Sequence, residues 1–132
     1  VNAEAVPYIL VVDDNPDNLY VLTHVLERQG YTVRGVTDGH AALNTAAAAH
    51  PALILLDIRL PDFSGYEVVA ALRRREGLAG IPVIAVTAHA MPGDREAALA
   101  AGCNGYITKP IDVHELLRQV AHMLLPSSAA GS

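Results

Sequence analysis

Short apolar runs alternate with helix-length amphipathic stretches along this chain, and the runs close on polar residues. Runs at 8–12, 53–56, 83–86 and 106–108 end at Asp13-Asp14, Asp57, Thr87 and Lys109. A further run at 32–36 follows the first helical stretch. Strands that alternate with helices build a parallel sheet with both faces covered. LILLD, apolar up to its final aspartate, reads as a central strand of such a sheet. In open parallel sheets the crevice lies beyond the carboxyl ends of the strands. Three carboxylates, a hydroxyl and an ammonium are therefore expected to converge on one edge.

The helices carry their own punctuation. Asn15-Pro16 supplies a cap and a proline at the first helical position, which frees Asp13 and Asp14 from capping. Leu19, Leu22, Val25 and Leu26 form the apolar stripe of this helix, and Gly30 suits a left-handed end. Asp38 is placed to cap an Ala-rich second helix that stops before Pro51. Ser64 and Glu67 make a capping box for the third, after a loop from Ile58 to Phe63. The fourth helix, about 92–101, has almost no large apolar residue and is expected to be the most loosely held. Asp112 with Glu115 starts the fifth, whose Leu116, Leu117, Val120 and Leu124 face inward. At Lys109-Pro110 the chain must turn from strand to helix while aiming the lysine at the crevice. Only X-Pro bonds adopt the cis form for as little as about 0.5–1 kcal/mol, so a cis peptide is predicted there.

A chain of 132 residues is about one domain. It divides into a flexible segment at 1–7, one folded domain at 8–125 and a disordered tail at 126–132. No apolar run nears the roughly 20 residues that span a membrane, so no membrane association is expected. The net charge of −5 argues against nucleic acid as a partner. The basic cluster Arg73-Arg74-Arg75 reads as a solvated face near a helix C-terminus. A single cysteine, Cys103, forms no internal disulfide and fits a reducing cytoplasm. The histidines at 24, 40, 50, 114 and 122 share no metal-ligand spacing and read as surface residues.

Three carboxylates at one edge need a counter-charge. At about 4 Å, each pair repels by roughly 4 kcal/mol at an effective dielectric near 20. A hard divalent ion answers this, and magnesium binds through one or two carboxylates, waters and phosphate oxygens. Lys109 and Thr87 add a cation and a hydroxyl for phosphoryl oxygens in flight, and a remaining carboxylate is free to act as nucleophile. Singly, each residue has a plainer explanation as a turn, cap or solvated side chain. Jointly, at successive strand ends, they point to phosphoryl chemistry.

VVDDN, LLDIRLPDFSGYE, VTAHA and GYITKP resemble, in sequence and spacing, the motifs of the receiver domains of two-component response regulators. The resemblance runs from Tyr8 to about Leu125. It implies a flavodoxin-like α/β fold, a doubly wound five-stranded parallel sheet in order 2-1-3-4-5 with five helices. It implies that Asp57 takes a phosphoryl group from a histidine kinase or histidine phosphotransfer protein. Asp13, Asp14, Asp57 and the backbone carbonyl of Arg59 would hold Mg2+, Thr87 would grip the phosphoryl group and Lys109 would pair with it. Tyr106 would swing inward as the output signal, and a downstream protein would read helix four, strand five and helix five. The domain would catalyse only its own phosphorylation and dephosphorylation, either standing alone or within a larger protein such as a hybrid kinase. Arg59 and His89 lie outside the shared motif; they are either ordinary loop residues or tuners of phosphoryl lifetime that overhang the acceptor.

Two other function classes fit less well. A magnesium-dependent phosphatase of the haloacid dehalogenase type carries an acid two residues after its nucleophile, where this chain has Arg59, which cannot donate a proton at neutral pH. A flavodoxin-type cofactor binder needs a phosphate-binding loop after strand one, and VVDDNPDN places anions there. A docking module with a vestigial site is the third alternative, opposed by the intact polar set.

Overall fold

The computed structural model describes residues 7–88 and 91–124. The expectations for the segment before Pro7, for the tail at 126–132 and for His89 fall outside the described residues. The elements alternate without exception: β1 (Ile9–Val12), α1 (Pro16–Arg28), β2 (Val33–Val36), α2 (Gly39–Ala48), β3 (Leu53–Asp57), α3 (Gly65–Arg74), β4 (Val83–Thr87), α4 (Asp94–Ala101), β5 (Gly105–Thr108) and α5 (Val113–Met123). All neighbouring strands pair in parallel, in the order β2-β1-β3-β4-β5. This is the doubly wound sheet expected from the sequence.

Alternation along the strands divides the core in two. Ile9, Val11, Leu53, Leu55, Ile84, Val86 and Ile107 pack beneath α1 and α5, against Leu22, Leu26, Leu116 and Val120. Leu10, Val12, Ile54, Leu56, Val83, Ala85 and Tyr106 pack on the other face, against Ala42, Ala46, Val68, Val69, Leu72 and Ala98 of α2, α3 and α4. β3 is buried at every position, as a central strand with both faces covered must be.

The caps form as the sequence predicts. Asn15 accepts from the Asp17 and Asn18 amides, Asp38 from Ala41, and Asp112 from Glu115. Both arms of the Ser64–Glu67 capping box are made. Gly30 and Gly102 follow α1 and α4 with φ of 94° and 113°, a region that favours glycine. The Lys109–Pro110 peptide is cis.

Arg73 departs from the solvated face expected of the basic cluster. Its guanidinium donates to the carbonyls of Gly102 (2.7 and 3.2 Å), Ala79 (3.0 Å) and Ile81 (2.8 Å) and to Asn104 Oδ1 (3.0 Å). All its donors are thereby used, and the end of α3 is tied to the end of α4 and the entries to β4 and β5. Arg74 and Arg75 are exposed, as expected.

Candidate functional site

Strand register assembles the site. Val12 pairs with Leu56, so Asp13 and Asp57 stand abreast just past the last β1–β3 pair, with Asp57 itself paired to Val86 of β4. Thr87 pairs with Thr108, and the Lys109 amide donates to the Thr87 carbonyl at 2.8 Å, extending the ladder one residue beyond β5. Asp13 and Asp57 are in phase with Val11 and Leu55, and Lys109 with Ile107, on the α1/α5 side. Thr87 is in phase with Val83 and Ala85, on the side of Tyr106. The site straddles the edge of the sheet, with its charges on one side and Thr87 and Tyr106 on the other.

Each buried aspartate divides its two oxygens between backbone and lysine. Asp13 Oδ1 accepts from the Asn15 amide at 2.9 Å, and Asp57 Oδ1 from the Arg59 amide at 3.0 Å. Lys109 Nζ lies 3.1 Å from both Asp13 Oδ2 and Asp57 Oδ2. Asp13 is 1% and Asp57 6% exposed; Asp14 is exposed. These three aspartates each offer an oxygen within 4.8 Å of the others. An all-oxygen, multi-anion donor set of this size suits a hard divalent cation and offers nothing soft to a thiophilic one.

The electrostatics follow from burial and from one cation serving two anions. Burial pushes the Asp57 carboxyl above the usual carboxylate range; the Arg59 amide and Lys109 offset this in part, and Asp13 adds to it. For Lys109, burial works against the ammonium, but its bonds to Asp57 and Asp13 outweigh this and hold it above its ordinary value. Lys109 thus leaves the two buried carboxylates with one negative charge uncompensated, and Asp14 adds a second.

Arg59 turns its side chain to solvent, while its backbone amide holds Asp57 and its main chain bridges to Ser64. Thr87 is buried at the end of β4. Tyr106 is buried, and its hydroxyl has no hydrogen-bond partner among the described residues. Burial, then the nearby Asp94, discourages its ionisation. Tyr106 lies in the same core cluster as Ala98 of α4.

One neighbour of the site escapes sequence reasoning. Asp62, in the loop after β3, reaches across to α2, where Oδ1 accepts from the Gly39 amide at 2.8 Å and Oδ2 from the His40 amide at 3.0 Å. His40 Nδ1 also meets Oδ2 at 2.8 Å. No local spacing signals a cap supplied from more than twenty residues away.

Comparison with known proteins decides the family. The response regulator receiver domain family matches residues 9–121. The chain belongs to that family. It is 42% identical over 116 residues to the polar-differentiation response regulator DivK of Brucella ovis, covering 88% of this chain and 94% of DivK. The receiver domain of a sensor histidine kinase from Pseudomonas aeruginosa, solved with a magnesium ion coordinated in its active-site cleft, is 40% identical. It superposes with a TM-score of 0.83 over 91% of this chain and 98% of its own. The chemotaxis response regulator CheY4 of Vibrio cholerae, 28% identical, gives 0.84 over 91% and 100%. As a receiver domain, the protein is a regulatory module of two-component signalling. Among the described residues, no helix is long and apolar enough to cross a membrane.

Proposed function

We propose that Asp57 is the phosphoacceptor of this receiver domain, that the reaction depends on Mg2+, and that the donor is the phosphohistidine of a histidine kinase or phosphotransfer protein. The observation that carries this reading is the shared lysine: Lys109 spans Asp13 and Asp57 at equal distances in a pocket whose three carboxylates still lack two positive charges. Asp13, Asp14, one oxygen of Asp57 and the Arg59 carbonyl would hold the ion. When bound, magnesium supplies charge neutralisation for phosphoryl oxygens and a fixed geometry for their approach. A carboxylate oxygen of Asp57 attacks phosphorus, the P–N bond breaks, and the donor imidazole leaves and takes up a proton. Lys109 follows the charge, pairing with a phosphoryl oxygen as Asp57 becomes an acyl phosphate. Thr87, at the opposite side of the edge, donates its hydroxyl to another oxygen.

Phosphoryl transfer of this kind is mostly positioning and electrostatics, so the domain needs no further enzyme when offered a small phosphodonor. Output then passes from Thr87 to Tyr106, whose buried hydroxyl has no hydrogen-bond partner among the described residues, and so to a protein that reads α4, β5 and α5. Arg59 and His89 would tune how readily water reaches the acyl phosphate.

Intact mass after incubation with phosphoramidate is the test. Wild type gains one phosphoryl group in the presence of magnesium. Asp57→Asn gains none, and chelator abolishes the gain in wild type. Labelling that persists in Asp57→Asn, or that ignores chelator, would overturn the assignment.

A further inference from the structure

The loop that carries Arg59 is closed on itself but held from outside by Asp62. Inside, the Gly65 amide donates to the Ile58 carbonyl at 2.6 Å, and Arg59 bridges to Ser64. The Asp62 carboxylate leaves the loop and engages the first turn of α2, while the Phe63 amide secures Oδ1 at 2.9 Å.

The orphan amides at the start of α2 account for the arrangement. A helix begins with donors that have no partner within it. At α2, Gly39 and His40 give theirs to Asp62, Ala41 gives its own to Asp38 at 2.7 Å, and Ala42 begins the regular ladder to the Asp38 carbonyl. Two aspartates from different segments thus share one helix start. Asp38 is local to the helix, whereas Asp62 is a tether between the helix and the loop.

Three further features favour the tether. A Cβ at Gly39 would come within 2.4 Å of the Phe63 ring and 3.2 Å of Asp62 Oδ1, so glycine lets the loop lie directly on the helix. Phe63 packs on the His40 ring with centroids 4.6 Å apart. Removal from water works against the ionised form of Asp62, but the Gly39 and His40 amides and the His40 ring outweigh it and hold the carboxyl well below the usual carboxylate range.

We propose that Asp62 is a positioning residue for the phosphoryl-transfer centre: by clamping the loop after β3 to the start of α2, it holds the Arg59 main chain, amide and carbonyl, in register with Asp57. This rests on the reading of the pocket given above. The Arg59 carbonyl belongs to the proposed magnesium shell, and its amide fixes the second oxygen of Asp57. Asp62 is not among the residues that would hold the metal or the phosphoryl group. Its effect is therefore on magnesium affinity and not on the chemistry at saturation.

The experiment measures phosphoramidate-driven phosphorylation as a function of magnesium for wild type, Asp62→Ala, Asp62→Asn and Asp38→Ala, with melting temperatures alongside. Asp38→Ala is the control, because it uncaps the same helix without touching the loop. Asp62→Ala is expected to raise the half-saturating magnesium concentration about tenfold, the low end of what loss of such a supporting contact costs, with the rate at saturation close to that of wild type. Asp62→Asn, which keeps one accepting oxygen and guards against a misfolded Ala variant, shifts it in the same direction by less. Asp38→Ala lowers the melting temperature and leaves half-saturation in place. Half-saturation within twofold of wild type in both Asp62 variants overturns the proposal, as does an equal shift in Asp38→Ala. A wild type that needs no magnesium would overturn the reading of the pocket and this inference with it.

Discussion

α3 and α4 flank β4 on the same face of the sheet, and they are held there by different means. α3 starts in a complete capping box and buries Val68, Val69 and Leu72 at 1% exposure or less. α4 starts at Gly93, with φ of 89° and no side-chain cap, and Ala98 is its one buried residue. Its largest apolar side chain, Leu99, is 46% exposed. The C-terminal end of α4 is firm: the Gly102 and Cys103 amides return to Leu99 and Ala98, and Arg73 grips the Gly102 carbonyl. The helix that follows Asp57 is thus a fixed wall, and the helix beyond Thr87 is anchored at the far end and lightly held at the near one. Weak local stability is what a switching element requires.

The widest gap between the two helices should appear in truncation. Leu72→Ala is expected to destabilise the fold by about 2–5 kcal/mol, as for other fully buried leucines. Leu99→Ala should stay within about 0.5 kcal/mol, as for ordinary surface changes. Denaturant unfolding of the two variants checks the pair, and comparable losses would break the contrast.

Removing the anchor comes next in size. Arg73→Ala leaves carbonyls at Gly102, Ala79 and Ile81 without their donor, a loss of about 1–3 kcal/mol. Amide exchange should quicken around 98–103 while 66–70 keeps its protection. If both segments quicken together, α4 has no separate fulcrum.

The smallest effect concerns charge. Folded Asp57 holds its proton more tightly than the unfolded chain does, so its contribution to stability falls as pH rises from about 4, the ordinary carboxylate value, through its raised folded value. Asp57→Asn should therefore melt a few degrees above metal-free wild type at neutral pH, with the difference shrinking toward pH 4. Magnesium should close the gap by stabilising wild type more, since a ligand stabilises the state that binds it. Asp62 has the opposite sign: its depressed value means stability that is present above the ordinary carboxylate range and lost as pH falls below it. Melting curves across pH for wild type, Asp57→Asn and Asp62→Asn separate the two carboxylates.

These contrasts also mark what was legible in the sequence. Strand order, the caps at Asn15, Asp38, Ser64 and Asp112 and the polar set at the strand ends are local signals, written in apolar periodicity and in residues a few places apart. The weakness of α4 was equally plain from its run of alanines. Arg73 and Asp62 were not legible, because their partners lie up to 31 and 23 residues away and are mostly backbone groups, which every residue has. A cluster of three arginines looks the same whether one of them turns inward or not. Gly39 shows the same limit: its lack of a side chain matters only because Phe63 arrives there in the folded chain.

The pairing of Val12 with Leu56 has a consequence for how this architecture can vary. Asp13 and Asp57 sit opposite each other on neighbouring strands whose separation, about 4.8 Å, is a property of the peptide backbone and not of any side chain. Length changes in the connecting helices and in the loops at the opposite edge leave that spacing untouched. A single residue gained or lost within β1 or β3 would turn an aspartate to the other face of the sheet. The dimensions of the pocket are therefore inherited from the hydrogen-bond repeat, and only the segments outside the strands are free to drift in length.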